Sequence, residues 1–157
     1  CDRVLEERSG VSVATIFELE GEAGFRKREA ALIDELTQED RLILATGGGA
    51  VLSEHNRRHM HERGLVVYLE ATLEELLRRL KSDRSRPLLN GEDRTQRVAQ
   101  LLAARAPLYR ECAHLTFAAS AASPRQLAQR IAQTPQVSAL FSSAALAPSE
   151  PNSPTPH

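Results

Sequence analysis

Three consecutive glycines, Gly47, Gly48 and Gly49, follow a short apolar run at residues 42–44 in the segment RLILATGGGAVL. The apolar run predicts a strand buried on both faces of a sheet. Glycine loses more conformational entropy on ordering than any other residue, so three together at a strand end need a reason. Because open α/β sheets bind ligands at the carboxyl ends of their strands, we predict close approach of this backbone to a ligand. A flexible strand-to-helix loop is the alternative.

The composition is that of an ordinary globular domain. Of the 157 residues, 41% are hydrophobic and 26% are charged, and the net charge of −1 gives no reason to expect nucleic acid or a membrane as partner. Only Lys27 and Lys81 among the 20 basic residues are lysines, and high-GC coding explains such a bias as well as anion binding does. The cysteines, Cys1 and Cys112, form no disulfide framework and have no metal-ligand spacing, which fits the reducing cytosol.

Hydrophobic periodicity and capping residues predict alternating helices and strands. The first half should contain a helix from Cys1 closed by Gly10, a helix capped by Ser12 and ended by Gly21, a helix over residues 23–37, the strand at 42–44 and a helix from Ser53 to Gly64. The second half should contain a strand at 65–69, a helix opened by a capping box of Thr72 and Glu75, a long helix burying Val98, Leu101, Leu102, Leu108 and Tyr109, a strand at 115–118 and a helix from Ser123. Apolar strands separated by helices indicate an α/β fold with a parallel sheet.

Two segments differ in composition from the rest. Residues 81–97, KSDRSRPLLNGEDRTQR, are polar and rich in arginine, which predicts a mobile loop that is either a solvated connector or an active-site lid. From Gln136 the chain is rich in Ser, Ala and Pro, which predicts a disordered tail. The predicted organisation is therefore one folded domain over residues 1–135 and a tail over residues 136–157.

Three arginines are candidates for binding an anion. Arg26 and Arg105 lie on apolar faces of predicted helices, and Arg86 lies in the charged loop. A long cation on an apolar face needs either an anion or a route to solvent, so a snorkelling or ion-paired side chain is the alternative for each. Asp2 is most simply a helix cap or dipole partner. Together with the glycines, these residues predict a pocket for a small polyhydroxy acid and a phosphate donor.

Five segments in order, GEAGFRKRE, LATGGGAVL, VVYLE, SRPLL and RAPLY, resemble the shikimate kinase family from residue 1 to about residue 133. The resemblance implies a P-loop kinase-like fold of three layers, α/β/α, around a parallel sheet. It implies transfer of the γ-phosphoryl group of ATP, with Mg²⁺, to the 3-hydroxyl of shikimate on the way to chorismate and the aromatic amino acids. It also implies a cytoplasmic monomer.

The family motifs, carried over by position, assign roles to individual residues. Asp2 matches the acid that holds the shikimate hydroxyls and can accept a hydroxyl proton, and Arg26 and Arg105 match the arginines that clamp the carboxylate. Gly48 matches a backbone donor, and Arg86 matches the lid arginine that reaches the transferring phosphate. The remaining expected site residues are Phe17, Phe25, Glu29, Gly47 and Gly49 around the substrate and Arg79 near adenine.

The nucleotide side of the resemblance is less complete. The family's phosphate loop, GxxxxGK[ST], does not occur in the 157 residues, and we expect it, with the main Mg²⁺ ligands, on a segment preceding Cys1. We therefore expect that these residues alone do not turn over ATP. The segment AASAASP ending at Pro124 has no arginine before the proline, which leaves the adenine contacts open.

Two other interpretations remain open at this stage. One is a binding or regulatory module that kept the kinase fold and has no nucleotide site, and the other is a kinase for a different small hydroxy acid. The joint presence of Asp2, Arg26, Gly48, Arg86 and Arg105 favours a shikimate kinase, because a sensor of another ligand has no need of a lid arginine.

Replacing the loop arginine tests whether residues 81–97 form a lid. In a protein that includes the phosphate loop, Arg86→Ala should lower kcat by about a hundredfold and change KM little, because a residue that reaches the phosphoryl group after closure stabilises mainly the transition state. Steady-state kinetics with shikimate and ATP each varied measures this. Arg84→Ala and Arg94→Ala are the controls, and a loss at Arg86 no larger than theirs would make the loop a solvated connector.

Overall fold

The computed structural model describes residues 1–82, 94–119 and 123–144. The chain divides into two compact units, Cys1–Ser120 and Ala121–His157. This division differs from the predicted boundary at residue 135, because the predicted helix at Ser123 forms one unit with a further helix that follows it. In the described residues no helix has the length and apolarity needed to cross a membrane.

The first unit contains helices α1 to α5 and a parallel sheet. Its elements are α1 (Asp2–Ser9), α2 (Val13–Leu36), a 3-10 turn (Ala50–Leu52), α3 (Glu54–Arg63), β1 (Val67–Glu70), α4 (Leu73–Ser82), α5 (Arg94–Cys112) and β2 (Leu115–Ala118). The two strands run parallel, with Val67 opposite Leu115, and α4 and α5 lie between them along the chain. This confirms the predicted alternation of strands and crossover helices and the parallel sheet.

Capping residues set the helix ends as predicted. Gly10 ends α1 in the left-handed region at φ 70°, and its N–H donates to the Glu6 carbonyl. The side chain of Ser12 accepts a hydrogen bond from the backbone of Thr15 at the start of α2. Gly21, at φ 68° and ψ −176°, interrupts α2, so the two helices predicted on either side of it are the two parts of this element.

The capping box predicted for α4 is only half formed. The backbone N–H of Glu75 donates to Oγ1 of Thr72 at 3.3 Å, but the Glu75 carboxylate pairs with Arg79 at 2.7 Å. The reciprocal arrangement occurs instead at the helix that starts at Pro124, where Ser123 and Gln126 cap each other.

The strand predicted at residues 42–44 is wrong in this structure. The segment is neither helix nor strand, and Leu42 and Ile43 are 47% and 86% exposed. A strand exists only when a neighbour completes its ladder of hydrogen bonds, and in the described part of the chain the sheet consists of β1 and β2 alone. The segment is held near its end by a hydrogen bond from the Cys1 nitrogen to the Ala45 carbonyl, at 2.7 Å.

The predicted disorder from Gln136 is wrong for residues up to 144. The second unit contains α6 (Pro124–Ala132) and α7 (Pro135–Ala144), and Val137 is buried. Proline is well suited to the first turn of a helix, and residues 135–144 contain apolar residues among small ones, so a compositional argument underrates this segment. The rest of the predicted tail, residues 145–157, lies outside the described residues.

Residues of α2 contribute to both buried clusters of the first unit. One buried cluster contains Leu5, Ile16, Phe25 and Leu32, and the other contains Ile33, Ala50, Val51, Met60 and Cys112. Cys1 packs against both clusters, which connects α1 and α2 with the turn after the glycines. Leu101, predicted to be buried, is 41% exposed, because it lies at the edge of the apolar stripe of α5.

Candidate functional site

The glycines lead into a turn that is fixed by α3. The N–H groups of Ala50 and Leu52 donate to the carbonyls of Gly47 and Gly49, each at 3.1 Å. Nδ2 of the buried Asn56 donates to the Ala50 carbonyl at 3.0 Å. Because both Ala50 and Asn56 are buried, the position of the glycine backbone is set by the core.

Two carboxylates lie close to Gly47. A Cβ atom placed on Gly47 would be 3.3 Å from Oε1 of Glu29 and 3.9 Å from Oδ1 of Asp2. The first distance is tighter than most real Cβ contacts, so glycine lets the backbone lie close to the Glu29 carboxylate. The structure thus brings Asp2 from α1 and Glu29 from α2 to the same glycine.

Two arginines and a tyrosine lie close to Gly48 and Gly49. A Cβ atom on Gly48 would be 3.0 Å from Oη of Tyr109 and 3.8 Å from Nη1 of Arg105. A Cβ atom on Gly49 would overlap the Arg26 guanidinium, at 2.5 Å from its Cζ. The predicted substrate arginines therefore meet at the glycines, although they come from α2 and α5.

Arg26 forms an ion pair with the buried Glu29, and the polar atoms of this pair are only partly satisfied. Nη1 of Arg26 donates to Oε2 of Glu29 at 2.7 Å, and the Glu29 side chain is 1% exposed. Among the described residues, Oε1 of Glu29 and Nε of Arg26 have no hydrogen-bond partner. Buried polar atoms in native proteins are nearly always hydrogen-bonded, so these two atoms are available to a polar group beyond the described residues, such as water or a ligand.

Arg105 differs from Arg26 in having no carboxylate beside it. Within the described ranges it forms no ion pair, and its side chain is partly buried next to Gly48. A partly buried guanidinium without a counter-charge favours an anion at this position.

Tyr109 is a site residue that the sequence prediction assigned only to the core. Its hydroxyl donates to the Gly48 carbonyl at 2.6 Å, and its ring stacks on Tyr68 with 5.1 Å between centroids. Burial and, to a smaller extent, the Glu70 charge raise the pKa of Tyr68. The ring that stacks on Tyr109 is therefore that of a neutral phenol. The sequence feature that could have identified Tyr109 is its position four residues after Arg105, which places both side chains on one face of α5.

We call Gly47, Gly48, Gly49 and the side chains close to them the glycine cluster; those side chains are Asp2, Arg26, Glu29, Arg105 and Tyr109. Arg79, predicted to lie near adenine, makes contacts outside this cluster. Nη2 of Arg79 donates to Oε1 of Glu75 at 2.7 Å and to the Ala119 carbonyl after β2 at 3.3 Å. Arg86 lies outside the described residues. A cavity of about 630 Å³ opens between the starts of α4 and α5, and its lining is Thr72, Glu74, Glu75, Leu77, Arg78, Arg94 and Thr95. None of the residues of the glycine cluster lines this cavity, so a search by cavity size would not have found the cluster.

The chain is similar to known shikimate kinases. A family model described as shikimate kinase matches residues 1–136. The curated shikimate kinase of Nitrosospira multiformis is 50% identical over 132 residues, which are 84% of this chain and 68% of that protein. That of Bordetella pertussis is 56% identical over 116 residues, 74% of this chain and 55% of that protein. The chain therefore spans between about half and two thirds of the length of these relatives.

Solved structures give the same result. The shikimate kinase from Acinetobacter baumannii in complex with shikimate has a TM-score of 0.78 and 43% identity, covering 93% of this chain and 78% of that one. The shikimate kinase from Aquifex aeolicus has a TM-score of 0.71 and 28% identity, covering 92% of this chain and 80% of that one. These likenesses confirm the predicted α/β fold class with its parallel sheet.

The buried ion pair gives a prediction about stability. Arg26→Ala would leave the buried Glu29 carboxylate without its cation, and we expect the free energy of unfolding to fall by roughly 3 kcal/mol, the low end for buried pairs because Arg26 is 30% exposed. Urea unfolding followed by circular dichroism measures this. Arg28→Ala is the control, because Arg28 pairs with Glu20 on the surface and should matter little. Equal losses in the two variants would contradict a special role for Arg26.

Proposed function

Because the chain belongs to the shikimate kinase family, we propose that this protein transfers the γ-phosphoryl group of ATP to the 3-hydroxyl of shikimate. The observation that carries the proposal is the convergence of two carboxylates and two arginines on the glycine backbone. The chain spans only part of its relatives, so the activity of the whole protein belongs to the proposal.

The two arginines suit the carboxylate of shikimate. A planar guanidinium binds a carboxylate through two parallel hydrogen bonds. Glu29 accepts a hydrogen bond from Nη1 of Arg26 and Glu22 accepts one from Nη2, so Nε is the donor left without a partner among the described residues. Arg105 has no described carboxylate beside it. We infer that the substrate carboxylate lies between Arg26 and Arg105.

The two acids suit the hydroxyl groups. Hydroxyls donate hydrogen bonds, and Asp2 and Oε1 of Glu29 are acceptors close to Gly47. Without a Cβ atom, Gly47 and Gly48 let a ring lie close to the backbone, where the N–H of Gly48 can donate to it. We infer that Asp2 orients the reacting hydroxyl and accepts its proton. Positioning and charge neutralisation supply most of the catalysis in phosphoryl transfer.

The described residues do not by themselves fit ATP and Mg²⁺. The glycine turn faces the carboxylates of Asp2 and Glu29, which repel a triphosphate, and the sequence has no GxxxxGK[ST]. Nucleotide binding in the proposal therefore rests on family membership. The proposed roles of Arg79 and Arg86, the cytoplasmic location and the monomeric state rest on the same ground.

Replacing Arg105 tests the proposed carboxylate clamp. We expect Arg105→Ala to weaken shikimate binding about tenfold to a hundredfold, because losing a charge-assisted hydrogen bond costs roughly 1.5 to 3 kcal/mol. Isothermal titration calorimetry of shikimate into the 157-residue chain measures this. Arg110→Ala removes the same charge from the same helix, at a residue paired with Glu70, and should leave binding unchanged.

Two outcomes separate binding from catalysis. Unchanged shikimate affinity in a folded Arg105→Ala chain would contradict the clamp. ³¹P NMR of ATP and shikimate with the natural protein should show a phosphate monoester of shikimate. Shikimate binding without that product would favour the binding or regulatory module instead.

A further inference from the structure

A second cluster of polar side chains lies where the end of α2 meets the start of α3. It consists of Asp34 on α2 and of His55 and His59 on α3. These three residues have no part in the contacts around the glycines. We call them the Asp34 cluster.

The geometry of the cluster is that of a metal site. His55 and His59 are four residues apart on a helix, so they share one face, and their ring centroids are 3.9 Å apart. One ligand atom from each of the three residues lies within 4.8 Å of the others. Ligand atoms about 2.0–2.2 Å from one Zn²⁺ ion stand about 3 to 4 Å apart, so small side-chain rotations complete the arrangement. The exposed ring of His55 is free to make such a rotation.

A buried nitrogen provides a second, independent indication. His59 is 6% exposed, and in the described part of the chain its Nδ1 has no hydrogen-bond partner. Oδ1 of Asp34 lies 3.0 Å away, but the two atoms do not meet the angular requirement of a hydrogen bond. Since a buried ring nitrogen without a hydrogen-bond partner is costly, this one is available to a group that the described residues do not supply.

Arg63 competes with a metal ion for Asp34. Its Nη1 lies 2.7 Å from Oδ1 of Asp34, and it also donates to the Asp34 carbonyl and to Oγ1 of Thr37, at 3.1 and 3.2 Å. An ion at the carboxylate weakens the first contact, while the other two acceptors remain available to Arg63. The competition limits the affinity of the site but does not block it.

We propose that Asp34, His55 and His59 bind one divalent transition-metal ion of the Zn²⁺ class. Two imidazoles and a carboxylate are typical ligands for such ions, and water supplies the remaining position. Because the ligands come from α2 and α3, the ion links the helix that carries Arg26 and Glu29 to the helix that follows the glycine turn. An ion that binds the folded chain and not the unfolded chain also stabilises the fold.

Titration of the 157-residue chain with Zn²⁺ against a chromophoric chelator tests the site. We expect uptake of one ion at the cluster and a rise in the unfolding temperature. His55→Gln should weaken binding by more than about tenfold, and because His55 is exposed this variant should fold normally. Arg63→Gln should strengthen binding by removing the competing cation.

Two control variants exclude other ligands. His61→Gln removes a histidine from the stacked pair with His114, and Cys1→Ser removes a thiol next to the terminal amino group. Neither should change the affinity of the Asp34 cluster. With Co²⁺ in place of Zn²⁺, the site should show visible absorption without a thiolate charge-transfer band, and His55→Gln should abolish that absorption. No saturable uptake, or equal uptake by His55→Gln, would overturn the proposal.

Discussion

The packing of the Arg26 guanidinium against the bare backbone of Gly49 is the contact on which the glycine cluster depends. A Cβ atom at Gly49 would overlap that guanidinium, so any side chain there would force the end of Arg26 to move from its place beside Glu29. The contact holds only because the core fixes both partners: Phe25 and Ile33 anchor α2, and Ala50 anchors the turn. The substrate chemistry proposed for this protein therefore rests on a backbone position that the hydrophobic core sets.

Much of the fold was predictable because its signals are local. Ser12, Gly10 and Gly21 act through their own backbone geometry, so the helix boundaries that they set needed no tertiary information. The strands β1 and β2 were predictable from apolar runs, and the likeness to solved structures confirms the fold class. The pocket residues came from ordered motifs, and the structure brings Asp2, Glu29, Arg26 and Arg105 together. Their roles toward shikimate remain predictions.

The remaining features depend on partners that a local pattern does not reveal. Residues 42–44 have a strand-like sequence, but a strand requires a neighbour. Residues 135–144 have a composition typical of disorder, but their helix buries Val137. Tyr109 looked like a core residue because a tyrosine ring packs well, and only the folded backbone shows that its hydroxyl reaches Gly48. The Asp34 cluster was missed because Asp34 lies on a different helix from His55 and His59.

A crystal structure of the 157-residue chain with shikimate tests the central claim most directly. The account predicts the ligand carboxylate within hydrogen-bonding distance of the guanidinium groups of Arg26 and Arg105, and ring hydroxyls directed at Asp2 and Glu29. It also predicts that Oε1 of Glu29 gains a hydrogen-bond partner. Shikimate bound elsewhere, or bound here with its carboxylate contacting neither arginine, would contradict the account.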